Sequence, residues 1–530
     1  MPVEAQVADF NEQTALGNKP ERVARFADLG FGIFIHWSVD SQIGSVISHS
    51  LVGADEEYCR RYFKELPATF NPKRFDPDEW ADLFKLMGAK YVVFTAKHHS
   101  GFCMFETATT DFDIMNTPYG RDVTAELISA LRSRGIAVGL YFSPDDFWFL
   151  HQQGTVIGRR QPGVTPQENP ELMDYDRRQI RELLTKYGPI DIFFIDGPAE
   201  GLRELCWELQ PEIVVTRGAL KTPEQYIPGV PPEDPWESNL TMGTQWQYKP
   251  THETYKSGTE LIEMLIETRA KGGNFLLNIG PKPDGTIPIE QEERLRELAL
   301  WNFVNREAIH GVEPWIVTNE DNIWFIRKRK SDTVYAIVTR PNWTWGKRRE
   351  ITLQSVKAGK TTEVSLLGQT SKVLEYSPGA DVRIRWHRSD KGLVISAVRA
   401  QRIHNDRKWP NAVVLKVTDA HPAVDPPIVV TNSAKAIGGG QVTLSGELID
   451  LGDADAVEVG FQLRLRHETT QPLATADPWE ETMLSEPRSV PGDFSLKLSD
   501  LELGQAYEFR ALVKHPHITL YGDRNAFASR

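Results

Sequence analysis

The sequence predicts an α/β protein: a (β/α)8-like barrel followed by C-terminal antiparallel β-sandwich domains. Over residues 29–311, short apolar runs alternate with amphipathic helical stretches, the pattern of a parallel sheet wrapped in helices. After about Trp315, polar and apolar residues take turns instead, as in half-buried antiparallel strands. The chain has 530 residues, too many for one compact core at roughly 150 residues per domain. The expected division is a barrel over 1–315, a β-sandwich over 316–420, and a fibronectin-type-III-like or Ig-like β domain over 421–530.

The barrel strands are read from FGIFIHW (31–37), YVVFTAK (91–97), VGLYFS (138–143), IDIFFID (190–196), EIVVTRG (212–218) and NFLLNIG (274–280). Continuous Val, Ile and Phe suit strands buried on both faces. Between them, DPDEWADLFKLMGA, TAELISALRSRGI and SGTELIEMLIETRAKGG (257–273) repeat apolar residues every three or four positions and follow the last turn with Gly. That is how amphipathic helices are built and ended. An open doubly wound sheet would carry a Gly-rich phosphate turn after its first strand. None is present, and polar residues stand at nearly every strand end, which favours a barrel. Further on, EITLQSV, TTEVSLLG, VRIRWHR and GLVISAV read as sandwich strands, AHPAVDPP (420–427) as a linker, and QVTLSGELIDLG, AVEVGFQLRLRH, DFSLKLSDL and AYEFRALVKH as the last all-β unit.

Composition narrows the function. Asp plus Glu number 73 against 60 Lys plus Arg, a net charge of −13, so the chain lacks the basic surplus of a nucleic-acid binder. Cys59, Cys103 and Cys206 lie far apart with no CxxC, which argues against a disulfide framework and a Cys-type zinc site. No run of eighteen apolar residues suggests a spanning helix. The start, MPVEAQVADFNEQ, lacks a basic stretch followed by an apolar one and does not read as a signal peptide. The fourteen Trp residues suit sugar stacking as well as a large core.

In a barrel of this kind the site lies at the carboxyl ends of the strands. Those ends supply His36 and Trp37, then Lys97, His98 and His99, then Tyr141 and Ser143 with Asp145 and Asp146 beyond, then Asp196, Arg217 and Asn278. The loop PPEDPWESN adds Trp236 and Glu237. Two carboxylates across a sugar-sized mouth, Asp196 and Glu237, match the recurring arrangement of glycoside hydrolysis. The plain alternatives are a helix cap for Asp196 and a solvated loop charge for Glu237. On a strand, His98 and His99 would point to opposite sides, and the first strand ends in a lone His36. Hydroxyl binding is therefore favoured over a metal site, with a satisfied core histidine as the plain reading of His99.

Four segments in this order, FGIFIHW, AKHHSGF, the Asp of IDIFFIDGP and GGNFLLNIGPKPDGTIP, resemble the retaining α-L-fucosidases of glycoside hydrolase family 29. The resemblance covers about residues 20–315, and a following β-sandwich is also usual there. It implies an exo-acting enzyme that removes terminal α-L-fucosyl residues from oligosaccharides or polysaccharides by double displacement, without cofactor or metal. Asp196 would be the nucleophile. Glu237, just after a Trp, would be the acid/base, with Glu57 or Glu233 in reserve. His36, His98, His99, Tyr141, Arg217, Glu57, Tyr58, Trp236 and Trp246 would form the fucose pocket, Trp246 against the C6 methyl. Many members carry Glu-Trp where this chain has Glu57-Tyr58. The partner would be a fucosylated glycan, not nucleic acid or membrane, and the family is mostly secreted, periplasmic or lysosomal. On the residues alone, a catalytically silent sugar-binding protein on the same scaffold and a metal-dependent barrel hydrolase stay open. The last domain lies outside the family pattern and is expected to space or pack domains rather than bind polysaccharide.

Overall fold

The computed structural model describes residues 16–370, 379–401, 411–466, 479–484 and 486–529. The N-terminal segment judged not to be a signal peptide lies outside the described residues. Seven parallel strands curl into the barrel wall: β1 (Phe31–Ile35), β2 (Tyr91–Lys97), β3 (Ala137–Phe142), β4 (Ile192–Ile195), β5 (Val214–Val215), β6 (Glu237–Thr241) and β7 (Asn274–Ile279). They are hydrogen-bonded in the order β5-β4-β3-β2-β1-β7-β6. The period of two sorts the side chains. Phe31, Ile33 and Ile35 face the helices, while Phe34 joins Val93, Tyr141, Ile192, Phe194 and Leu276 inside the barrel.

Two strands differ from expectation. β5 keeps only two residues of the run EIVVTRG. After a turn the chain pairs again at Lys221 and Glu224, which bridge in parallel to Trp236 and Asn239. The barrel closes along this broken seam. β6 is polar (ESNLT) and was expected to be loop, yet all five of its residues are buried.

The helices are α1 (Pro20–Leu29), α2 (Glu56–Thr69), α3 (Pro77–Leu86), α4 (Val123–Ser133), α5 (Phe147–Gln152), α6 (Pro170–Lys186), α7 (Arg203–Leu209), α8 (Gly258–Ala270) and α9 (Ile289–Asn305). Asp55, Asp76, Asp122, Asp146 and Asn169 start α2 to α6 by accepting first-turn N–H groups, which would otherwise lack partners. Ser257 and Glu260 form a reciprocal capping box on α8. The first helix stoppers the amino end of the barrel. Phe26 meets the Tyr91 ring edge-on at 5.7 Å, and the Asn274 amide donates to the Phe26 carbonyl at 2.7 Å. The barrel therefore has a sealed floor and an open mouth. Among the described residues no helix is long and apolar enough to cross a membrane.

The strand Val312–Glu320 straddles the expected boundary at 315 and belongs to the second domain. There a five-stranded and a three-stranded antiparallel sheet share a core that includes Phe325, Ile351, Leu353, Ile395 and Leu415. Ala420–Pro422, read as linker, is a strand paired with Val356–Ala358. The last domain is a sandwich of a three-stranded and a five-stranded sheet around Leu444, Phe461, Phe494 and Phe509. It docks on the barrel, where the Gly229 amide donates to Asp523 Oδ1 at 2.9 Å.

Candidate active site

At the carboxyl ends of the strands lies a pocket of about 310 Å3. Asp196 directly follows β4, and its N–H still bonds the Phe142 carbonyl at 3.0 Å, so the strand ladder fixes its backbone. The chain then leaves sharply at Gly197, whose φ of +151° and approach to Pro144 (2.8 Å from an added Cβ) leave no room for a side chain. One carboxylate oxygen of Asp196 accepts from Arg217 Nη1 at 2.7 Å. The other accepts from the Tyr141 hydroxyl at 2.7 Å and lies 3.6 Å from His99 Nε2. Burial alone would push this carboxyl up. His99, the Arg217 guanidinium and the Tyr141 hydroxyl outweigh it and hold Asp196 well below the usual carboxylate range.

The histidines are neutral at neutral pH. Burial pulls His36 down to about 4, against its bond to Asn278. It pulls His99 down to about 3 and His98 well below its ordinary value. Arg217 is thus the permanent charge beside Asp196. His36 Nδ1 lies 2.6 Å from Asn278 Oδ1. The amide nitrogen of Asn278 donates to the Trp246 carbonyl at 2.5 Å, so its oxygen faces the histidine and His36 Nδ1 donates. That leaves His36 Nε2 as an acceptor. His98 stacks on Tyr141 with centroids 4.9 Å apart and planes 11° off parallel.

His98 and His99 do not diverge as strand neighbours would. The β2–β3 register is broken between Thr95 and Lys97, and β2 ends before both histidines. Their rings lie 4.3 Å apart and share a cluster with the Asp196 carboxylate, all ligand atoms within 4.8 Å of one another. The set does not fit a divalent cation. Both carboxylate oxygens already take donors, and a guanidinium sits 2.7 Å from one of them.

An aromatic wall runs alongside the donors. Trp246 lies 4.9 Å from His36 and 6.0 Å from Phe34, and Phe34 lies 5.0 Å from Phe194.

Of the expected residues, Asp196, His36, His98, Tyr141, Arg217 and Trp246 line the pocket, and His99 touches Asp196 from behind. Four do not come there. Glu237 opens β6 opposite Asn274, the first residue of β7, which puts it at the floor rather than the mouth. It is buried and accepts from the Tyr91 hydroxyl at 2.5 Å. Trp236 is buried one residue earlier, its indole N–H on the Lys271 carbonyl and its ring packed over Gly273. Glu57 and Tyr58 sit on the first turn of α2, outside the pocket lining. Glu57 is largely exposed and paired with Arg60, and Tyr58 packs on Tyr62. The reserve residue Glu233 is exposed in the loop before Trp236. Lys97, also at a strand end, is wholly buried between Asp146 and Asp176.

Glu224 is the second carboxylate in the pocket lining. It stands on the broken seam, and Arg217 Nη2 donates to it at 2.8 Å. Arg159, paired with Asp145 at 2.7 Å, Arg160, Ser48, His49 and Asn239 complete the lining. The one signal for Glu224 in the sequence is its place just beyond Arg217, where a fifth strand should open into the mouth.

Glu237 has a consequence for stability instead. Burial raises its carboxyl to about 7, despite the Tyr91 hydroxyl and the distant charge of Arg217. Its Oε1 lacks a partner among the described residues. An unfolded Glu titrates near 4.3, so the fold favours the neutral form. The associated stability is complete below that value and is lost as pH rises through about 7. Glu237→Gln is therefore expected to gain on the parent by up to about 3 kcal/mol between pH 4.5 and pH 8. Urea unfolding at both pH values checks this, and a parent-to-variant difference independent of pH would show that the buried group is not protonated.

The family model described as Alpha-L-fucosidase matches residues 3–307, and that of the Alpha-L-fucosidase C-terminal domain matches residues 317–418. The tissue alpha-L-fucosidase of Rattus norvegicus is 30% identical over 394 residues, covering 66% of this chain and 82% of that protein. The plasma alpha-L-fucosidase of Homo sapiens is 31% identical over 395 residues, covering 65% of this chain and 81% of that protein. Alpha-L-fucosidase isoenzyme 1 from Paenibacillus thiaminolyticus superposes with a TM-score of 0.60 at 27% identity, over 75% of this chain and 98% of that one. With these matches and the site geometry in agreement, the chain belongs to the α-L-fucosidases of glycoside hydrolase family 29 and is a glycoside hydrolase.

Proposed function

We propose that this fucosidase releases terminal α-L-fucosyl residues from glycans with net retention, by double displacement, with Asp196 as nucleophile and Glu224 as acid/base. The observation that carries the reading is Arg217, whose two terminal nitrogens bond one carboxylate each, Asp196 and Glu224. Retaining enzymes hold their carboxyl groups about 5–5.5 Å apart, and two carboxylates on one guanidinium suit that short spacing. A pocket of about 310 Å3 above a sealed floor suits one terminal sugar rather than a chain running through.

In the first half-reaction an Asp196 oxygen attacks C1 while the bond from C1 to the leaving oxygen breaks, and Glu224 gives that oxygen its proton. In the second, water attacks C1, the ester bond to Asp196 breaks, and Glu224 takes the water's proton. Sharing Arg217 links the two steps. In the free site Arg217 bonds both carboxyl groups, and once Asp196 is esterified the same guanidinium still holds Glu224 in place for the second step.

Neutral His36 and His98 offer donors and acceptors to sugar hydroxyls, and Trp246, Phe34 and Phe194 offer a surface for the C6 methyl. A site built on satisfied hydroxyl contacts discriminates more strongly than one built on a methyl contact. The structural relative from Thermotoga maritima, 27% identical, has been solved in complex with a mechanism-based inhibitor, which supports a covalent route. Proton NMR during hydrolysis of an aryl α-L-fucoside tests the reading. The first fucose to appear is expected to be the α anomer, with β growing in only by mutarotation; β appearing first would overturn retention.

A further inference from the structure

A second cleft, of about 810 Å3, opens where the three domains meet and shares no lining residue with the catalytic pocket. The barrel contributes Lys271 from the turn between α8 and β7, the second domain Trp315 and Trp324, and the last domain Trp479, Arg510 and Tyr521. Lys271 lies at the amino end of the strands, so this cleft is on the opposite side of the barrel from Asp196.

Arg510 is held as a presented cation. Its guanidinium lies 4.5 Å from the Trp479 ring centre and 3.7 Å from that of Tyr521. Its Nε and Nη2 both donate to Gln462 Oε1, at 2.9 and 2.7 Å, and Gln462 is buried and neutral. Among the described residues no carboxylate pairs with Arg510 and none accepts from its Nη1.

The acids nearby are taken by other groups. Glu267 holds Lys271 at 2.6 Å and lies 4.0 Å from Arg524. Glu508 pairs with Arg464 and Glu481 with Lys514. Glu320 accepts the backbone N–H groups of Gln354 and Ser355, and Asp321 stands exposed at the rim. Burial and the like charges of Arg524 and Arg464 weaken Arg510's hold on its proton, against the opposing pull of Tyr521 and Glu267. A half-buried cation beside other cations, hydrogen-bonded only to a neutral amide, has room for an incoming anion.

We infer that this cleft is a second, non-catalytic binding site for a saccharide bearing an oxyanion, a sulfate ester or a uronate carboxylate, gripped by Arg510 with Arg524 beside it. The volume holds several sugar units, and the aromatic rims and amide side chains suit a saccharide rather than a free ion. The last domain lies beyond the two family segments, which end at 418, so those segments do not account for the wall that carries Arg510. Because the two sites face opposite ways, a polymer held here leaves the catalytic pocket free for nearby chain ends and raises their effective concentration.

Affinity electrophoresis of the full chain tests this in gels holding a sulfated galactan, which has no fucosyl end for the catalytic pocket, its desulfated form, or polygalacturonate. Retardation is expected with a charged polymer and not with the desulfated one, and the stronger of the two charged polymers identifies the anion. Arg510→Gln should weaken that retardation at least tenfold while aryl α-L-fucoside turnover, which reads the catalytic pocket separately, stays within twofold. Arg524→Gln carries the same expectation, of smaller size, should Arg510→Gln fail to fold. Equal migration in the sulfated and desulfated gels, with no retardation by polygalacturonate, overturns the proposal, as do folded variants that bind like the parent. Full competition by inorganic sulfate at matched concentration means an adventitious ion only and also overturns it.

Discussion

Asp196→Gly is expected to lower aryl α-L-fucoside turnover by a factor on the order of 10⁴ to 10⁶, roughly 5.5–8 kcal/mol of transition-state stabilisation, with little change in the unfolding midpoint. The loss is large because this carboxylate is kept ionised and aimed. Arg217 fixes one oxygen and Tyr141 the other, each at 2.7 Å, and the β4 ladder fixes the backbone. The fold should survive because Arg217 keeps its bonds to Glu224 and Thr222. The glycine variant also leaves a gap on the attacking side of C1. Azide entering that gap displaces the leaving group directly, so turnover should return with β-L-fucosyl azide as product. Residual turnover above about one per cent of the parent, or an α azide, would falsify the nucleophile assignment.

Glu224→Ala should behave differently, and the difference separates the two roles. A nitrophenyl leaving group departs without a proton, so its first step is nearly spared, whereas a natural fucosylated glycan should lose a factor of about 10² to 10⁴. The second step lacks its base, so the fucosyl-enzyme accumulates. Azide needs no deprotonation and should attack that ester, raising turnover and giving α-L-fucosyl azide. No azide effect, together with equal losses on both substrates, would move the acid/base role away from Glu224. Glu237→Gln, deep in the floor, should leave both substrate classes within a few-fold of the parent.

The contrast between Glu224 and Glu237 marks how far the sequence could be read. The place of Asp196, the proposed nucleophile, was legible because IDIFFID is a buried strand whose direction puts the terminal Asp at the mouth, while its role came from the family resemblance. β1, β2, β3 and β7 were legible for the same reason. β6 was not, because ESNLT is buried by barrel closure and not by its own composition. Without that strand, Glu237 looked like a loop residue at the mouth, when it is a strand's first residue at the floor. Glu224 sits in KTPEQY, which has no periodicity; its pairing with Asn239 arises only when the two edge strands of the sheet, β5 and β6, are brought round to meet. His98 and His99 were separated by strict alternation, and the register break before them brings both rings to one carboxylate. Tertiary closure and local irregularity, rather than propensity, account for these differences.

The seam between β5 and β6 gives the two halves of the chemistry unequal freedom to change. Asp196, the proposed nucleophile, is stitched into a continuous ladder, whereas Glu224, its proposed partner, stands where the wall is joined by two isolated bridges. The turn between Arg217 and Lys221 can therefore be lengthened without cutting a strand, and protein engineers seeking a new aglycone preference, or transfer to an alcohol in place of hydrolysis, have their most forgiving stretch there so long as Arg217 itself is kept.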